Sequence, residues 1–343
     1  MKKWKSLIAA AAIAAFAGTL LAGCGDSVGG IGGPPDNGPA APKEAVTKLK
    51  LGDKEVPMYE YKGAELPDFG FSNLAVTKDA IYSVAKGADK EYHLQKMVLK
   101  DGAITAVEEL VALEEEPLSS DGTNIYYILD TNGTVGCYDG KEATSFTAQK
   151  GYKTEHVCAI YGDKSAYIGT AFVSHNDVLF GAISKEGLKD VKVALSKDVY
   201  ANLGSDKTSP KYETNEALIG ADKDGFYITT LATHGGDMEV WTCPLHMYAP
   251  DGTLTRTFDL NMDIPADAKK RDSAERQSIA TKDYVVFFGS GYLRVFNKKD
   301  GTYVGDIELT LNNTDIQPKG VSTDDANRLY FIVKNNRIFR IDL

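Results

Sequence analysis

The densest set of groups suited to binding chemistry is the run His234-Gly-Gly-Asp237-Met-Glu239-Val-Trp241-Thr-Cys243-Pro-Leu-His246. Imidazole, thiolate and carboxylate are the donors zinc takes, and Cys-x-x-His is a workable spacing for two of four ligands. A second pair with matching spacing is absent, so the run reads more simply as a strand histidine beside a buried thiol, with no metal assigned. It also carries an aromatic residue. Trp241, with Tyr200, Tyr212, His175 and His234, makes a set of side chains suited to stacking on a sugar or anchoring a partner protein, since aromatic groups dominate interface energetics.

Evidence for catalysis is thinner. Residues 46–343 contain no Gly-x-Ser-x-Gly nucleophile elbow. There is no Ser-x-Asp-x-Gly-x-Thr-Trp box of the sialidase kind, and Trp4 and Trp241 are the only tryptophans, which excludes the tryptophan-rich repeats of quinone-dependent dehydrogenases. A metal-dependent lactonase or a lyase would need convergent Glu, Asn and Asp side chains. Those residues abound in turns here and single out no site. No catalytic residue and no cofactor is assigned.

The chain has 343 residues, 43% apolar and 25% charged, with a net charge of -10. Such acidity argues against a nucleic-acid partner, which needs basic patches to neutralise phosphates. It equally disfavours adsorption on anionic lipid. The N-terminus begins with Lys2, Lys3 and Lys5, continues as an alanine-rich apolar run over 7–21, and ends Leu21-Ala22-Gly23-Cys24. The apolar run is short for a membrane span and right for the core of an export signal. This ordering resembles the lipobox of bacterial lipoproteins. The resemblance implies cleavage after residue 23, acylation of Cys24 and an extracytoplasmic protein held by its lipid on the cell membrane or outer membrane. Gly25, in place of an acidic residue, favours outward sorting where two membranes exist. The domains expected are a signal peptide (1–23), a lipidated cysteine with a flexible Gly/Pro-rich tether (24–45) and a folded domain (46–343). The tether composition buries no apolar surface, and its r.m.s. span is roughly 25 Å.

The folded part repeats. A small or apolar strand, an Asp-bearing turn and a second strand centred on an apolar residue, usually followed by an aromatic one, recur with equivalent positions 82, 126, 167, 227, 286 and 330. A third strand follows each and usually runs into an acidic residue plus glycine, as at Asp101-Gly102, Asp139-Gly140, Glu186-Gly187, Asp251-Gly252 and Asp300-Gly301. Asp-Gly suits a tight hairpin with positive φ, so a fourth strand should return at once. The sixth copy ends after three strands, while two spare strand-like segments, 46–51 and 56–61, precede the first copy. Four-stranded units of this length, repeated, are the signature of a β-propeller. The expected fold is therefore all-β, a six-bladed propeller closed by an N-terminal strand. Residues 46–343 resemble six-bladed propellers of the TolB-like and YncE-like kind.

Spacings between the equivalent positions are 44, 41, 60, 59 and 44, so two repeats are enlarged. The extra residues fall in 196–215 and 261–277, on the face that carries the second-to-third-strand connections and the links between blades. Loops on a rigid scaffold are where binding resides. The sequence thus points to a binding or scaffold module for an envelope protein or peptide, working through loops over blades 3 to 5. A propeller enzyme and a sugar or small-ligand binder are the alternatives. Of the cysteines after Cys24, Cys137 and Cys158 are closest in sequence, yet they belong to a third and a first strand, so both are read as reduced.

Overall fold

The computed structural model describes residues 38–69, 74–113, 118–130, 133–148, 150, 153–172, 175–194, 212–234, 240–242, 244–260, 277–289, 291–312 and 314–343. The chain divides into two units, Met1–Asp36 and Asn37–Leu343; the first lies wholly outside the described residues.

Two strands, β1 (Thr47–Leu51) and β2 (Lys54–Tyr61), come first. Blade 1 follows as β3 (Ala75–Thr77), β4 (Ala80–Lys86), β5 (Tyr92–Lys100) and β6 (Ala103–Leu113), and blade 2 as β7 (Leu118–Ser120), β8 (Ile125–Ile128), β9 (Thr134–Tyr138) and β10 (Ala143–Thr147). Blade 3 is β11 (Lys153–Ala159), β12 (Ser165–Phe172), β13 (His175–Ser184) and β14 (Gly187–Ala194). In blade 4, β15 (Tyr212–Asp222) and β16 (Gly225–His234) precede a supernumerary strand, β17 (Val240–Thr242), then β18 (Pro244–Tyr248) and β19 (Leu254–Asp259). Blade 5 is β20 (Gln277–Ala280), β21 (Tyr284–Gly289), β22 (Tyr292–Asn297) and β23 (Tyr303–Glu308). A small hairpin, β24 (Thr310–Leu311) and β25 (Thr314–Asp315), leads to β26 (Pro318–Thr323), β27 (Arg328–Val333) and β28 (Arg337–Asp342). The last three join the first two in one sheet of order β1-β2-β28-β27-β26, which makes blade 6. Both spare N-terminal segments are used: β2 pairs with β28 from Met58↔Ile341 to Tyr61↔Ile338, and β1 adds a fifth strand outside it.

Each seam between blades holds its own apolar cluster, six in all. Alternate residues of a strand point to opposite sheet faces, and here both faces are covered. In β27, Leu329, Phe331 and Val333 pack toward blade 5 while Tyr330 and Ile332 pack toward blade 1. From Leu329 on this strand therefore reads as an unbroken apolar run, and every residue in it is buried.

One sequence expectation is corrected. Only Asp101-Gly102 has positive φ at both residues, 52° and 76°, as a two-residue hairpin turn requires. At Asp139, Asp251 and Asp300 the carboxylate instead accepts N–H groups two or three residues on, and the following glycine alone takes positive φ. The described residues also include the end of the stretch expected to be tether. From Gly38 onward it is already held: Arg340 Nη1 donates to Pro39 O at 2.7 Å and the Tyr61 hydroxyl to Ala40 O at 3.2 Å. A Cβ at Gly38 would press on Asp324 Oδ2 and the Arg328 guanidinium, so a larger residue there would displace that ion pair. Composition reported few apolar residues, but this segment is held through its backbone carbonyls.

Ring closure also carries an ion pair, Arg337 Nε donating to Glu60 Oε1 between β28 and β2. Burial pushes the Glu60 carboxyl up, but Arg337 and Lys62 together outweigh it and hold the carboxyl below its ordinary value of 4.5. With a depressed folded value, the contribution is present above pH 4.5 and is lost as pH falls through the folded value. Arg337 is 40% exposed, so solvent screening limits the pair to about 1 kcal/mol or less. Glu60→Gln should therefore lower the urea midpoint slightly at neutral pH, with the gap to wild type narrowing below pH 4.5; a gap independent of pH would refute the assignment.

Candidate binding face and axial mouth

The first-to-second-strand turns open on one face of the ring, the turn face, and the second-to-third connections open on the other, the loop face. Counted from the equivalent position, the second strand continues for seven residues in blade 4, to His234, and five in blade 3, to Phe172, against two to four elsewhere. At about 3.3 Å per residue the inner hairpin of blade 4 projects roughly 10–17 Å further over the loop face than those of blades 1, 2, 5 and 6.

Tyr212 and His234 are register partners at the tip of that hairpin. Beside them β17 pairs with β16 in an irregular register, Ala232 opposite Thr242 and Thr233 opposite Val240, which brings Trp241 to the same tip. His175 stands at the tip of the blade 3 hairpin, opposite Phe172. Four of the five expected binding residues thus lie at the projecting ends of two adjacent blades. Tyr200 falls outside the described residues, as do Asp237, Glu239 and Cys243. His246 stands apart in β18, buried, with Nδ1 3.1 Å from Thr257 Oγ1. Among the described residues no group of three His, Cys, Asp or Glu is placed to hold a metal ion. Cys137 and Cys158 are both free thiols, and burial pushes each up to about 12.

The turn face holds what sequence reasoning missed. Around the ring axis the inner strands enclose a cavity of about 650 Å³, rimmed by turn residues including Asp163, Asp222, Asp283 and Asp324. These acids are largely engaged in structure. Lys298 Nζ lies 3.1 Å from Asp222 Oδ2 and donates to Thr281 O at 2.8 Å, joining blade 5 to blade 4, and sits 4.6 Å from the Tyr227 ring centroid. Asn327 Nδ2 donates to Asp283 Oδ2 at 2.6 Å, while its Oδ1 accepts from Thr281 Oγ1, joining blade 6 to blade 5. A signal for Lys298 existed in the repeat. Leu99 and Ile183 make the same backbone bond to their own blade's turn, so a lysine at that position stands out.

A second regularity governs the turns. The equivalent tyrosine donates its hydroxyl to a turn aspartate of its own blade in blades 2, 4 and 6: Tyr126 to Asp121, Tyr227 to Asp222 and Tyr330 to Asp324. Burial, together with the neighbouring carboxylates, raises all three hydroxyls, so they stay neutral donors. Burial also raises the Asp324 carboxyl, against the pull of Arg328, which closes on it at 2.6 Å. In blade 3 the residue at the acceptor position is Ile160. Among the described residues the Tyr167 hydroxyl consequently has no hydrogen-bond partner, in a fully buried ring.

No protein-family model matches the chain, and no curated protein matches it either. Among solved structures it is similar to the crystal structure of a nidogen/laminin complex, with a TM-score of 0.44 and 12% identity over 74% of this chain and 85% of that one. It is also similar to the glutaminyl cyclase of Myxococcus xanthus (TM-score 0.35, 12% identity, 87% and 97% covered) and to the Cps50 (Swd1) β-propeller domain of Myceliophteria thermophila (TM-score 0.40, 11% identity, 81% and 98% covered). The likeness is one of fold. From its own sheet order, the chain is a six-bladed β-propeller.

The tyrosine ties predict opposite outcomes for one substitution at two equivalent positions. Tyr330→Phe leaves Asp324 short of a buried donor and should cost about 1–3 kcal/mol. Tyr167→Phe removes only an unpartnered hydroxyl and should be neutral within about 0.5 kcal/mol, or stabilising. Equal losses in urea melts of both variants would refute the account.

Proposed function

We propose that this chain is a lipid-anchored, extracytoplasmic scaffold that holds a protein or peptide of the cell envelope on its loop face. The observation that carries the reading is the projecting hairpin of blade 4, with Tyr212, His234 and Trp241 gathered at its end and His175 at the end of blade 3. A rigid ring supplies the orientation, and the projecting strands supply the contact.

The chain's entry into the domain supports the same arrangement. Gly38 lies against Asp324 on the turn face. A lipid carried upstream, at Cys24, would hold the domain near the membrane. Because the net charge of -10 disfavours adsorption on anionic lipid, a covalent lipid is the attachment that fits. Raising the local concentration near the membrane would strengthen weak contacts to envelope partners.

Small-ligand capture is a second reading, favoured by the axial cavity, whose volume of about 650 Å³ lies in the range of small-molecule sites. A mild-detergent pull-down from native membranes separates the two. Wild type should retain one near-stoichiometric protein, and a variant lacking 205–210 should lose it while folding normally. A bare wild-type bait would overturn the scaffold and direct attention to the cavity. In the same cells Cys24→Ser should move to the soluble fraction, and continued membrane fractionation would overturn the anchor.

A further inference from the structure

The connection between β4 and β5, on the loop face of blade 1, holds an imidazole between two carboxylates from different elements. His93 Nε2 lies 3.0 Å from both Oδ1 and Oδ2 of Asp89 in the connecting loop, and Nδ1 lies 3.7 Å from Glu109 Oε1 on β6. The other oxygen of Glu109 accepts from Gln95 Nε2 at 3.3 Å. All three side chains close around Gly87, where a Cβ would meet His93 Cδ2, Glu109 Oε2 and Asp89 Oδ1, each within 3.0 Å.

Hydrogen bonding fixes the tautomer of the ring. The Glu91 N–H first, and His93 second, hold the Asp89 carboxyl below its ordinary value of 3.8, so it is ionised and only accepts. Nε2 must therefore carry a hydrogen, which leaves Nδ1 of the neutral ring as a bare lone pair. Among the described residues Nδ1 has no hydrogen-bond partner, and it is closed off from solvent. Its lone pair faces another acceptor, Glu109 Oε1. A second proton removes this conflict, because it turns Nδ1 into a donor and the ring into a cation between two carboxylates. The 3.7 Å gap is too long for a hydrogen bond, but the Glu109 side chain is half exposed and free to swing across it.

The other charges on the surrounding elements are placed elsewhere. Opposite His93 in the sheet stand Ala85 on β4 and Ala112 on β6, and Phe69 is bridged to Ala85 beyond it. Lys96 pairs with Glu108 at 3.1 Å, Lys86 sits 5.3 Å from the Tyr92 ring centroid, and Lys100 ends β5 on the turn face. Lys90 and Glu91 are exposed in the loop itself.

We propose that His93 is a proton-operated latch: protonated, it ties Asp89 of the β4–β5 loop to Glu109 of β6, and neutral, it holds Asp89 alone. Within the loop, Gly87 N donates to Glu91 O at 2.9 Å and Lys90 N to Gly87 O at 3.0 Å, bonds that close the loop on itself without fastening it to β6. The added tie is present below the pH range in which imidazoles titrate and is lost as pH rises through that range. It concerns blade 1 and does not rest on the scaffold reading.

The test uses the full chain with ¹⁵N-labelled histidine and backbone. Ring spectra at about pH 8 should show neutral His93 as the Nε2–H tautomer, its signal identified by its loss in His93→Gln. Amide–water exchange at Gly87, taken relative to an unstructured peptide at the same pH, should be about 1.5- to 5-fold slower at about pH 5.5 than at about pH 8, as one partly exposed ion pair allows. In Glu109→Ala that difference should vanish while the tautomer stays as it was. An Nδ1–H tautomer, exchange in the wild type that does not respond to pH, or an undiminished difference in Glu109→Ala would each overturn the latch.

Discussion

The structure depends on the pairing of β2 with β28. A propeller blade buries both of its faces only if it has a neighbour on each side, and six blades have six seams only when the ring is closed. Pairing Met58–Tyr61 with Ile338–Ile341 joins the two ends of the chain in one sheet. It completes the clusters on both sides of blade 6, where Leu49, Val56 and Met58 meet Val295 and Ile307 on one side and Tyr61 meets Met97 and Ile104 on the other. Without this pairing, β26 to β28 would present a three-stranded apolar sheet to water, a loss far larger than that of any single hydrogen bond. The carbonyls of Pro39 and Ala40, bound by Arg340 and Tyr61, extend the closure by one more segment of chain.

Around this closed ring the two faces are built differently. The turn face is cross-linked by short polar bridges: Lys298 from blade 5 to blade 4, Asn327 from blade 6 to blade 5, and Asp121 O accepting from Gly162 N between blades 2 and 3. Each spans two sheets, so each resists their sliding past one another. The loop face is built from strands that outrun the ring in blades 3 and 4. A cross-linked face and an elaborated face thus share one scaffold.

The repeat was legible in the sequence because a propeller blade is a local object. Its turns, its aromatic second strand and its acidic-Gly hairpins lie within about 40 residues of one another, close enough to be compared copy by copy. The unfinished sixth copy and the spare N-terminal segments together implied closure. That both segments enter the sheet was not legible, since β1 joins only as an outer strand on β2 and nothing in its five residues distinguishes it from a linker. Likewise Gly38 to Ala40 resembled tether: a segment held through backbone carbonyls leaves no apolar pattern to read.

By itself, then, the sequence determined the blade count, the closing strand's origin and the location of the insertions, because periodic burial writes itself into residue type. It also supplied the residues of the projecting tips. Only the tertiary structure decided which of these meet: that Tyr212 stands opposite His234 with Trp241 alongside, that Lys298 reaches Asp222 across a seam, and that Ile160 leaves Tyr167 without an acceptor. The physical reason is that these contacts depend on strand length, register and the apposition of separate sheets, which are settled by closing the ring rather than by any local preference of the chain.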